Sequence, residues 1–297
     1  MRPSFEMHQI KNPELSNISD EMALAISGAY IRPAVDSSFC LQDINLSVKA
    51  GTLTVITGPV GCGKTTLLKG ILGEVPCEQG SVTKKDGAAY CSQTPWLQNT
   101  TILDIVCGAS GLEPAWYREV IRSCALDYDI SQMRQGDQSV VGSRALALSG
   151  GQKQRLALAH AVYARRKLVI LDDVFSAVDM KTEQTLVERL LGKDGLFQKS
   201  GSTVILATHT VRHLSLADHI VVLGPDGRVV EQGSFESLKS KDAFIKEMLD
   251  KLTTDSADIE DSNQSKVSPG KKMIKTPTDD DVADVSRRTG DIAVYSC

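Results

Sequence analysis

The chain has 297 residues, of which 41% are hydrophobic and 24% charged, so it can form one large globular domain with extensions or two small domains. A formal net charge of -4 supplies no basic surface for a polyanion, so no nucleic-acid partner is predicted. The seven cysteines form no CxxC pair, and their odd number favours reduced thiols over a full disulfide framework. Because the sequence contains neither an apolar signal region nor a run of about 18 apolar residues, any membrane role is expected to require a partner.

Short apolar runs follow a polar N-terminal segment, residues 1–21, that lacks sustained periodicity and is expected to be flexible. The runs at 53–57, 168–172 and 203–208 are rich in Val, Ile and Leu, which is typical of strands buried in a parallel sheet. Helical patterns alternate with these runs. This alternation predicts an α/β fold.

The stretch from about residue 93 to 166 differs from its surroundings because its pattern is mostly helical and contains no strong strand. We interpret it as a helical subdomain inserted into the α/β core. After residue 250 the composition turns to Asp, Ser, Thr, Lys and Gly with two prolines, so residues 251–297 are expected to form a flexible linker. The folded domain is predicted to span residues 22–250.

A phosphate-binding loop follows the first apolar run. The sequence GPVGCGKTT satisfies GxxxxGK(S/T) between a strand and a helical pattern, which is the context that this motif requires. Lys64 would reach the β and γ phosphates, Thr65 would offer its hydroxyl to Mg²⁺, and Thr66 would bond a further phosphate oxygen. Cys62 is either a reactive thiol beside a cation or, more simply, a small filler residue. The residues predicted to bind nucleotide here are Gly58, Pro59, Val60, Gly61, Cys62, Gly63, Lys64, Thr65 and Thr66.

Two adjacent carboxylates, Asp172 and Asp173, end the second apolar run. The carboxyl ends of strands in an open α/β sheet are where ligands bind. One carboxylate at this place would hold Mg²⁺, and the next would orient or deprotonate an attacking water. The plainer alternative is a strand that ends in a polar turn.

The motif LSGGQKQRLALA, which begins at Leu148, resembles the signature of ATP-binding cassette proteins. Its serine and glycines stand at the start of a long helical pattern, whose electropositive end can grip a phosphate. In that family two cassettes pack head to tail, and each signature closes over the phosphate-binding loop of the other. The resemblance therefore implies that Ser149, Gly150, Gly151 and Gln152 act on nucleotide held by a second cassette.

Further family motifs can be located one at a time. Gln93 in YCSQTPWL matches a glutamine that senses Mg²⁺ and water and couples to transmembrane helices, and His209 after TVILAT matches a switch histidine that contacts the γ-phosphate. SAVD, residues 176–179, matches a loop that crosses the dimer interface, although Asp179 is equally suited to cap a helix. The resemblance implies Thr65, Gln93 and Asp172 as metal ligands and Gln93, Asp173 and His209 as catalytic residues.

Longer stretches resemble the first nucleotide-binding domain of C-subfamily transporters, the multidrug-resistance-associated type, over about residues 22–250. The ending SRRTGDIAVYSC resembles the linker that runs into the second transmembrane domain of those transporters. Most cassettes have glutamate after the magnesium-binding aspartate, whereas this chain and first cassettes of the C subfamily have aspartate. Because a misplacement of about 1 Å can lower a rate about a hundredfold, ATP bound beside Asp173 is predicted to be hydrolysed slowly and to hold the dimer closed.

A second departure concerns the adenine ring, which the family stacks on an aromatic residue roughly 25 to 30 positions before the loop lysine. The matching position falls near Pro33, and the nearest aromatic is Tyr30. Tyr30 is therefore the predicted adenine contact, with packing in the first strand as the open alternative. Stacking contributes about 1–3 kcal/mol for a base, so its loss would weaken binding without abolishing it.

The sequence thus predicts an α/β fold of the P-loop NTPase cassette type, with a mainly parallel core sheet, N-terminal antiparallel strands and an inserted helical subdomain. The resemblance implies slow Mg-ATP hydrolysis that couples cassette dimerisation to substrate export at the cytoplasmic face of a membrane. The implied partners are the transmembrane domains of an exporter and a second, non-identical nucleotide-binding domain. Expressed alone, the chain is expected to be soluble, monomeric and nearly inactive. A free-standing soluble cassette ATPase and a non-hydrolysing regulatory domain stay open as alternatives.

Overall fold

The computed structural model describes residue 19 and residues 21–34, 36–142 and 147–241. The predicted flexible segments, residues 1–21 and 251–297, lie outside these ranges except for residues 19 and 21. Within the described ranges, no helix combines the length and apolar character that a membrane crossing requires.

The strands fall into two sheets. In chain order they are β1 (Met22–Ile31), β2 (Leu41–Lys49), β3 (Leu53–Thr57), β4 (Cys77–Lys84), β5 (Ala88–Cys91), β6 (Leu168–Asp172), β7 (Thr203–Ala207), β8 (His219–Leu223) and β9 (Val229–Gly233). A six-stranded sheet has the order β5-β6-β7-β3-β8-β9, and a three-stranded sheet has the order β2-β1-β4.

The helices lie mostly between the strands of the larger sheet. They are α1 (Lys64–Leu72), α2 (Ile102–Cys107), α3 (Pro114–Ser123), α4 (Asp127–Ser131), α5 (Gly150–Tyr163), α6 (Met180–Leu186), α7 (Leu196–Ser200) and α8 (Phe235–Lys241). A π-helical turn, Val187–Leu191, continues α6, and short 3₁₀ helices occupy Gly136–Gln138 and Val211–Leu216.

The central sheet confirms the predicted α/β architecture. Strands β3, β6 and β7 are buried along their whole length, as their continuous apolar runs predict, and all neighbours in the sheet are parallel except β8 and β9. The first two strands have the predicted bounds, and the third ends at Ala207, one residue earlier than predicted.

The smaller sheet is antiparallel throughout, which confirms the predicted N-terminal antiparallel strands. Along β2, buried and more exposed residues alternate, as expected for a strand with one face on the core. The buried face packs together with α1 and one face of the central sheet, where Leu46, Leu67 and Ile170 belong to one apolar cluster.

The opposite face of the central sheet packs against the helices that follow β5. Val169 and Leu171 of β6 point to this side, where they join Val120 of α3 and Leu156 of α5 in a second apolar cluster. Because β6 is fixed by both clusters, its carboxyl end at Asp172 is held rigidly at the edge of the sheet.

The region from 93 to 166 contains four of the helices, and its described residues contain no strand beyond an isolated bridge between Thr101 and Val140. The helical pattern of the sequence is therefore present, while its division from the core at these residues stays a prediction. The cysteines of the described ranges form no disulfide with one another: Cys40, Cys62, Cys77, Cys91, Cys107 and Cys124.

Candidate nucleotide site

The predicted phosphate-binding loop connects β3 to α1. Gly58 and Gly63 have φ values of 146° and 98°, a region that favours glycine. A Cβ atom on Gly58 would lie 2.3 Å from the backbone oxygen of Leu223, and one on Gly63 would lie 2.7 Å from the side chain of Leu41. Glycine is therefore required at both positions for the chain to turn from the strand into the helix, whose N-terminus favours an anion.

Lys64 is the first residue of α1, and its ammonium group folds back over the loop. Its Nζ donates hydrogen bonds to the carbonyl oxygens of Gly58, at 2.8 Å, and Pro59, at 2.9 Å. The Sγ atom of Cys62 is farther away, at 3.9 Å. Since Cys62 is 1% exposed, the small-filler interpretation fits this thiol better than the reactive one.

One cavity of about 270 Å³ collects most of the predicted site residues. It lies at the carboxyl ends of the parallel strands, where an α/β sheet binds its ligands. Its lining consists of Phe39, Val60, Gly61, Gly63, Lys64, Thr65, Thr66, Gln93, Asp172, Asp173 and His209. Gly58, Pro59 and Cys62 of the loop are not in this lining, although the first two accept hydrogen bonds from Lys64.

Asp172 ends β6 and is 3% exposed. Its Oδ2 accepts a hydrogen bond of 3.2 Å from the hydroxyl of Tyr90, and its carboxylate is also hydrogen-bonded by Thr65. Burial raises the pKa of Asp172, while the hydrogen bonds from Thr65 and Tyr90 act against this increase. Sequence reasoning missed Tyr90, whose only signal is its place in β5, three residues before Gln93.

Thr65 and Asp172 provide the hard oxygen atoms that Mg²⁺ prefers. Both side chains line the same cavity, so their oxygens can serve one ion. Mg²⁺ usually takes one or two carboxylates, substrate phosphates and several waters, so this small set fits it. Gln93 lines the same cavity, and its amide oxygen stays available because the amide nitrogen bonds Asp173. Within the described residues, no group of three His, Cys, Asp or Glu side chains could hold a metal.

Asp173 brings two of the predicted residues together. Its Oδ2 accepts a hydrogen bond of 3.0 Å from Nε2 of Gln93, and its Oδ1 lies 3.0 Å from Nδ1 of His209. The backbone of Asp173 has a φ of 47°, in the left-handed region that aspartate tolerates better than most residues. Its N–H donates to the carbonyl oxygen of Ala207 at 2.9 Å, which ties this turn to the end of β7.

Phe39 is an aromatic residue of the cavity that was not predicted. A Cβ atom on Gly63 would lie 2.9 Å from its ring, so the ring packs on the phosphate-binding loop. Phe39 precedes Lys64 by 25 positions, within the family's usual spacing, and this is the signal that could have identified it. Tyr30 lies in β1, where its backbone pairs with Gln79 of β4, and it does not line the cavity.

The signature residues do not line this cavity. Ser149 caps α5 by accepting a hydrogen bond of 3.2 Å from the N–H of Gln152, whose side chain accepts one of 2.9 Å from the N–H of Ser149. The Gln152 amide also donates to Asp129 at 2.8 Å. A Cβ atom on Gly150 would have no other atom within 4 Å, so the start of the helix is open on that side.

The SAVD loop joins the cavity to α6. Its first residue, Ser176, donates from its hydroxyl to the carbonyl oxygen of Asp173 at 2.9 Å. Its last residue, Asp179, accepts from the N–H of Thr182 at 3.0 Å and so caps α6, the local role that the sequence suggested. A Cβ atom on Gly151 would lie 3.0 Å from the carbonyl oxygen of Ala177, so the loop and the signature helix touch.

A glycine-rich loop that leads from a buried strand into a helix, with carboxylates at the end of a nearby parallel strand, defines a P-loop nucleotide-binding domain. Residues 41–176 match the family model described as ABC transporter. This part of the chain therefore matches the ABC transporter family, whose nucleotide-binding domains generally bind and hydrolyse Mg-ATP.

Several fungal transporters are similar to the chain. It is 46% identical over 231 residues to ABC transporter gloK of Glarea lozoyensis, an alignment that covers 77% of this chain and 17% of that protein. It is 49% identical over 195 residues to ABC transporter ecdL of Aspergillus rugulosus, with 65% and 13% covered. It is 38% identical over 274 residues to ABC multidrug transporter B of Aspergillus fumigatus, with 92% and 19% covered. The chain thus spans less than a fifth of the length of these relatives.

Proposed function

We propose that this domain binds Mg-ATP and converts nucleotide-driven association with a second cassette into substrate export by a membrane transporter. The observation that carries the proposal is the convergence of Lys64, Asp172, Asp173, Gln93 and His209 on one cavity. These residues come from four separate segments of the sequence. Their convergence at the carboxyl edge of the sheet supports a site built for a triphosphate and its cation.

Each of these residues would have a distinct role in binding. Lys64 would exchange its two backbone acceptors for phosphate oxygens, and the loop N–H groups would hold the same phosphates. Thr65 and Asp172 would hold Mg²⁺, which supplies charge neutralisation between the phosphates. The ring of Phe39 offers the apolar surface beside the loop on which the adenine would pack.

Asp173 would make this a site of low turnover. Its carboxylate is one methylene shorter than glutamate, and both of its oxygens are already engaged by Gln93 and His209. A carboxylate that is short and held in this way is poorly suited to reach a water beside the γ-phosphate. ATP bound here would therefore stabilise the closed pair of cassettes more than it would be consumed.

The signature residues would act on the nucleotide of the partner. Ser149, Gly150, Gly151 and Gln152 lie at the capped, open start of α5 and outside the cavity of their own chain, which supports a role in trans. Two copies that share Asp173 would form two slow sites, so the favoured partner is a non-identical cassette with a glutamate. We infer on this basis that the domain is the first cassette of a C-subfamily exporter, with transmembrane domains as further partners and the cytoplasmic face of a membrane as the location.

An immunoblot of fractionated cells with an antibody raised against this domain tests the exporter proposal. We expect a band several times the 32.1 kDa of this chain in the membrane fraction. A band of the chain's own size that stays entirely in the soluble fraction would contradict the exporter proposal and favour a free-standing cassette ATPase.

A further inference from the structure

A buried histidine cluster lies beside the nucleotide site and has no part in the proposed chemistry. His213, in the 3₁₀ helix Val211–Leu216, has a side chain 4% exposed, and its Nε2 lies 2.9 Å from Oε1 of Glu183 in α6. Its ring packs edge to face on Phe175, with ring centroids 5.1 Å apart. We call His213, Glu183 and Phe175 the His213 cluster.

The hydrogen bond in the cluster has a fixed direction. The Nδ1 atom of His213 is buried without a hydrogen-bond partner among the described residues, so a proton on Nδ1 would have no acceptor. Burial lowers the pKa of His213, and this effect outweighs the opposing influence of Glu183. The imidazole is therefore neutral, with its proton on Nε2, and it donates to the Glu183 carboxylate, which also faces Arg212 at 3.9 Å.

The cluster joins the two segments that carry the site. Phe175 lies two residues after Asp173, and Glu183 follows the SAVD loop in α6, while His213 lies four residues after His209. Between His209 and His213, the N–H of Thr210 donates to the hydroxyl of Thr208 at 3.0 Å, and the N–H of His213 donates to the carbonyl oxygen of Thr210 at 3.4 Å. The buried side chains of His213 and Leu214 therefore attach the segment that carries the 54%-exposed His209 to the rest of the domain.

We propose that His213 is a positioning residue of the nucleotide site. Its hydrogen bond to Glu183 and its packing on Phe175 hold His209 in the position from which it contacts Asp173 and the terminal phosphate. This inference rests on the proposed function, because it concerns the same site. Without the cluster, the segment after β7 keeps its link to the segment after β6 at its start, where the N–H of Asp173 donates to the carbonyl oxygen of Ala207, but loses the link at His213. The contact between Asp173 and His209 then loosens, and the site loses its preference for a triphosphate.

The test compares ATP with ADP, because a terminal-phosphate contact affects only the triphosphate. The variant His213→Phe keeps an aromatic ring against Phe175 and removes the hydrogen bond to Glu183. The matched control is His219→Phe, which removes a surface histidine of β8 that faces Gln232 at 3.3 Å. Glu183→Met is the second variant; it keeps about the size of the side chain and removes the acceptor of the hydrogen bond. Affinities of the purified chain for Mg-ATP and ADP are measured for each by calorimetry.

We expect His213→Phe and Glu183→Met to lower the ratio of ATP to ADP affinity about fivefold, which is a typical coupling between contacting groups. We expect His219→Phe to leave the ratio unchanged. In a His209→Ala background, His213→Phe should produce no further change in the ratio, because the residue that it positions is absent. This non-additivity separates positioning from general destabilisation, which lowers both affinities in parallel.

Two results would count against different statements. If the unmutated chain binds nucleotide and both cluster variants keep its ratio of ATP to ADP affinity, the inference about His213 is wrong and the proposed function stands. If the unmutated chain binds neither nucleotide, the proposed function fails, and the positioning role fails with it.

Discussion

The Nδ1 atom of His209 lies 3.0 Å from Oδ1 of Asp173, and the other oxygen of the same carboxylate accepts a hydrogen bond of 3.0 Å from Gln93. Three residues that are 116 positions apart at their extremes, from 93 to 209, therefore meet at one group. The carboxylate is oriented from both sides before any substrate enters. Its length then determines whether it can reach a water beside the terminal phosphate.

Lengthening this carboxylate should raise turnover. In the assembled transporter, with the phosphate-loop lysine of the second cassette substituted so that only this site is active, we expect Asp173→Glu to increase ATP hydrolysis by about tenfold or more. Because the backbone of Asp173 has a φ of 47°, the glutamate should also cost a little stability. The control is Asp173→Asn, which keeps the length and removes the charge. Equal phosphate release by the unmutated protein and Asp173→Glu would refute this explanation of slow turnover.

Substitution of Phe39 and of Tyr30 distinguishes the two candidates for the adenine contact. We expect Phe39→Ala to weaken Mg-ATP binding by about tenfold, because stacking contributes about 1–3 kcal/mol per base. We expect Tyr30→Ala to leave the affinity unchanged, since Tyr30 pairs within the smaller sheet and does not line the cavity. Fluorescence titration with a labelled ATP measures both. The opposite ranking of the two variants would restore Tyr30 as the adenine contact.

The neutral state of His213 predicts a pH dependence of stability. Since burial lowers the pKa of His213 below its ordinary value of 6.5, the folded chain binds fewer protons than the unfolded chain between these two pKa values. The free energy of unfolding should therefore fall as the pH decreases from about 6.5 through the lowered pKa. The charged groups that face the ring are Glu183, Arg212 and Asp173.

Urea unfolding across this pH range measures the effect. The slope should be smaller in His213→Phe than in the unmutated chain, whereas His219→Phe serves as the control and should keep the slope. An unchanged slope in His213→Phe would mean that this histidine is not held neutral by the fold.

The two signature glycines should differ in their tolerance of a methyl group. In Gly150→Ala, the added methyl group has no other atom within 4 Å. This substitution should raise the free energy of unfolding by about 0.5 kcal/mol, because alanine has a higher helix propensity than glycine. In Gly151→Ala, the added methyl group would lie 3.0 Å from the carbonyl oxygen of Ala177. The free energy of unfolding of this variant should therefore be about 1 kcal/mol lower than that of Gly150→Ala. Urea unfolding of the two variants provides the comparison. Equal midpoints would show that the signature helix and the SAVD loop are not in close contact.

Elements that depend on local sequence could be predicted well. The runs of β3 and β6 were bounded correctly because they are continuously apolar and end at a glycine loop and an aspartate pair. The predicted β7 is one residue too long because Thr208 resembles the strand: it is buried, and its N–H donates to the carbonyl oxygen of Ile56 in the neighbouring β3. An apolar, buried run therefore identifies a core strand correctly but locates the end of the strand less accurately.

Residues whose role depends on distant contacts could not be predicted in the same way. Phe39 reaches the cavity only because the chain between β1 and β2 turns it onto Gly63, and the sequence around it favoured Tyr30 instead. Tyr90 bonds Asp172 across 82 positions, and His213 bonds Glu183 across 30. No local pattern contains these pairings, since they arise from the order of strands in the sheet.

The central claim is that this cavity binds Mg-ATP through the phosphate-binding loop. The most direct measurement is calorimetric titration of the purified chain with Mg-ATP, together with Lys64→Ala and the control Lys69→Ala, which removes a lysine from the far end of the same helix. We expect one site in the unmutated chain, a loss of affinity of about tenfold or more in Lys64→Ala, because charge-assisted contacts to phosphate are lost, and no change in Lys69→Ala. Equal binding by Lys64→Ala and the unmutated chain, or no binding by the latter, would contradict the claim.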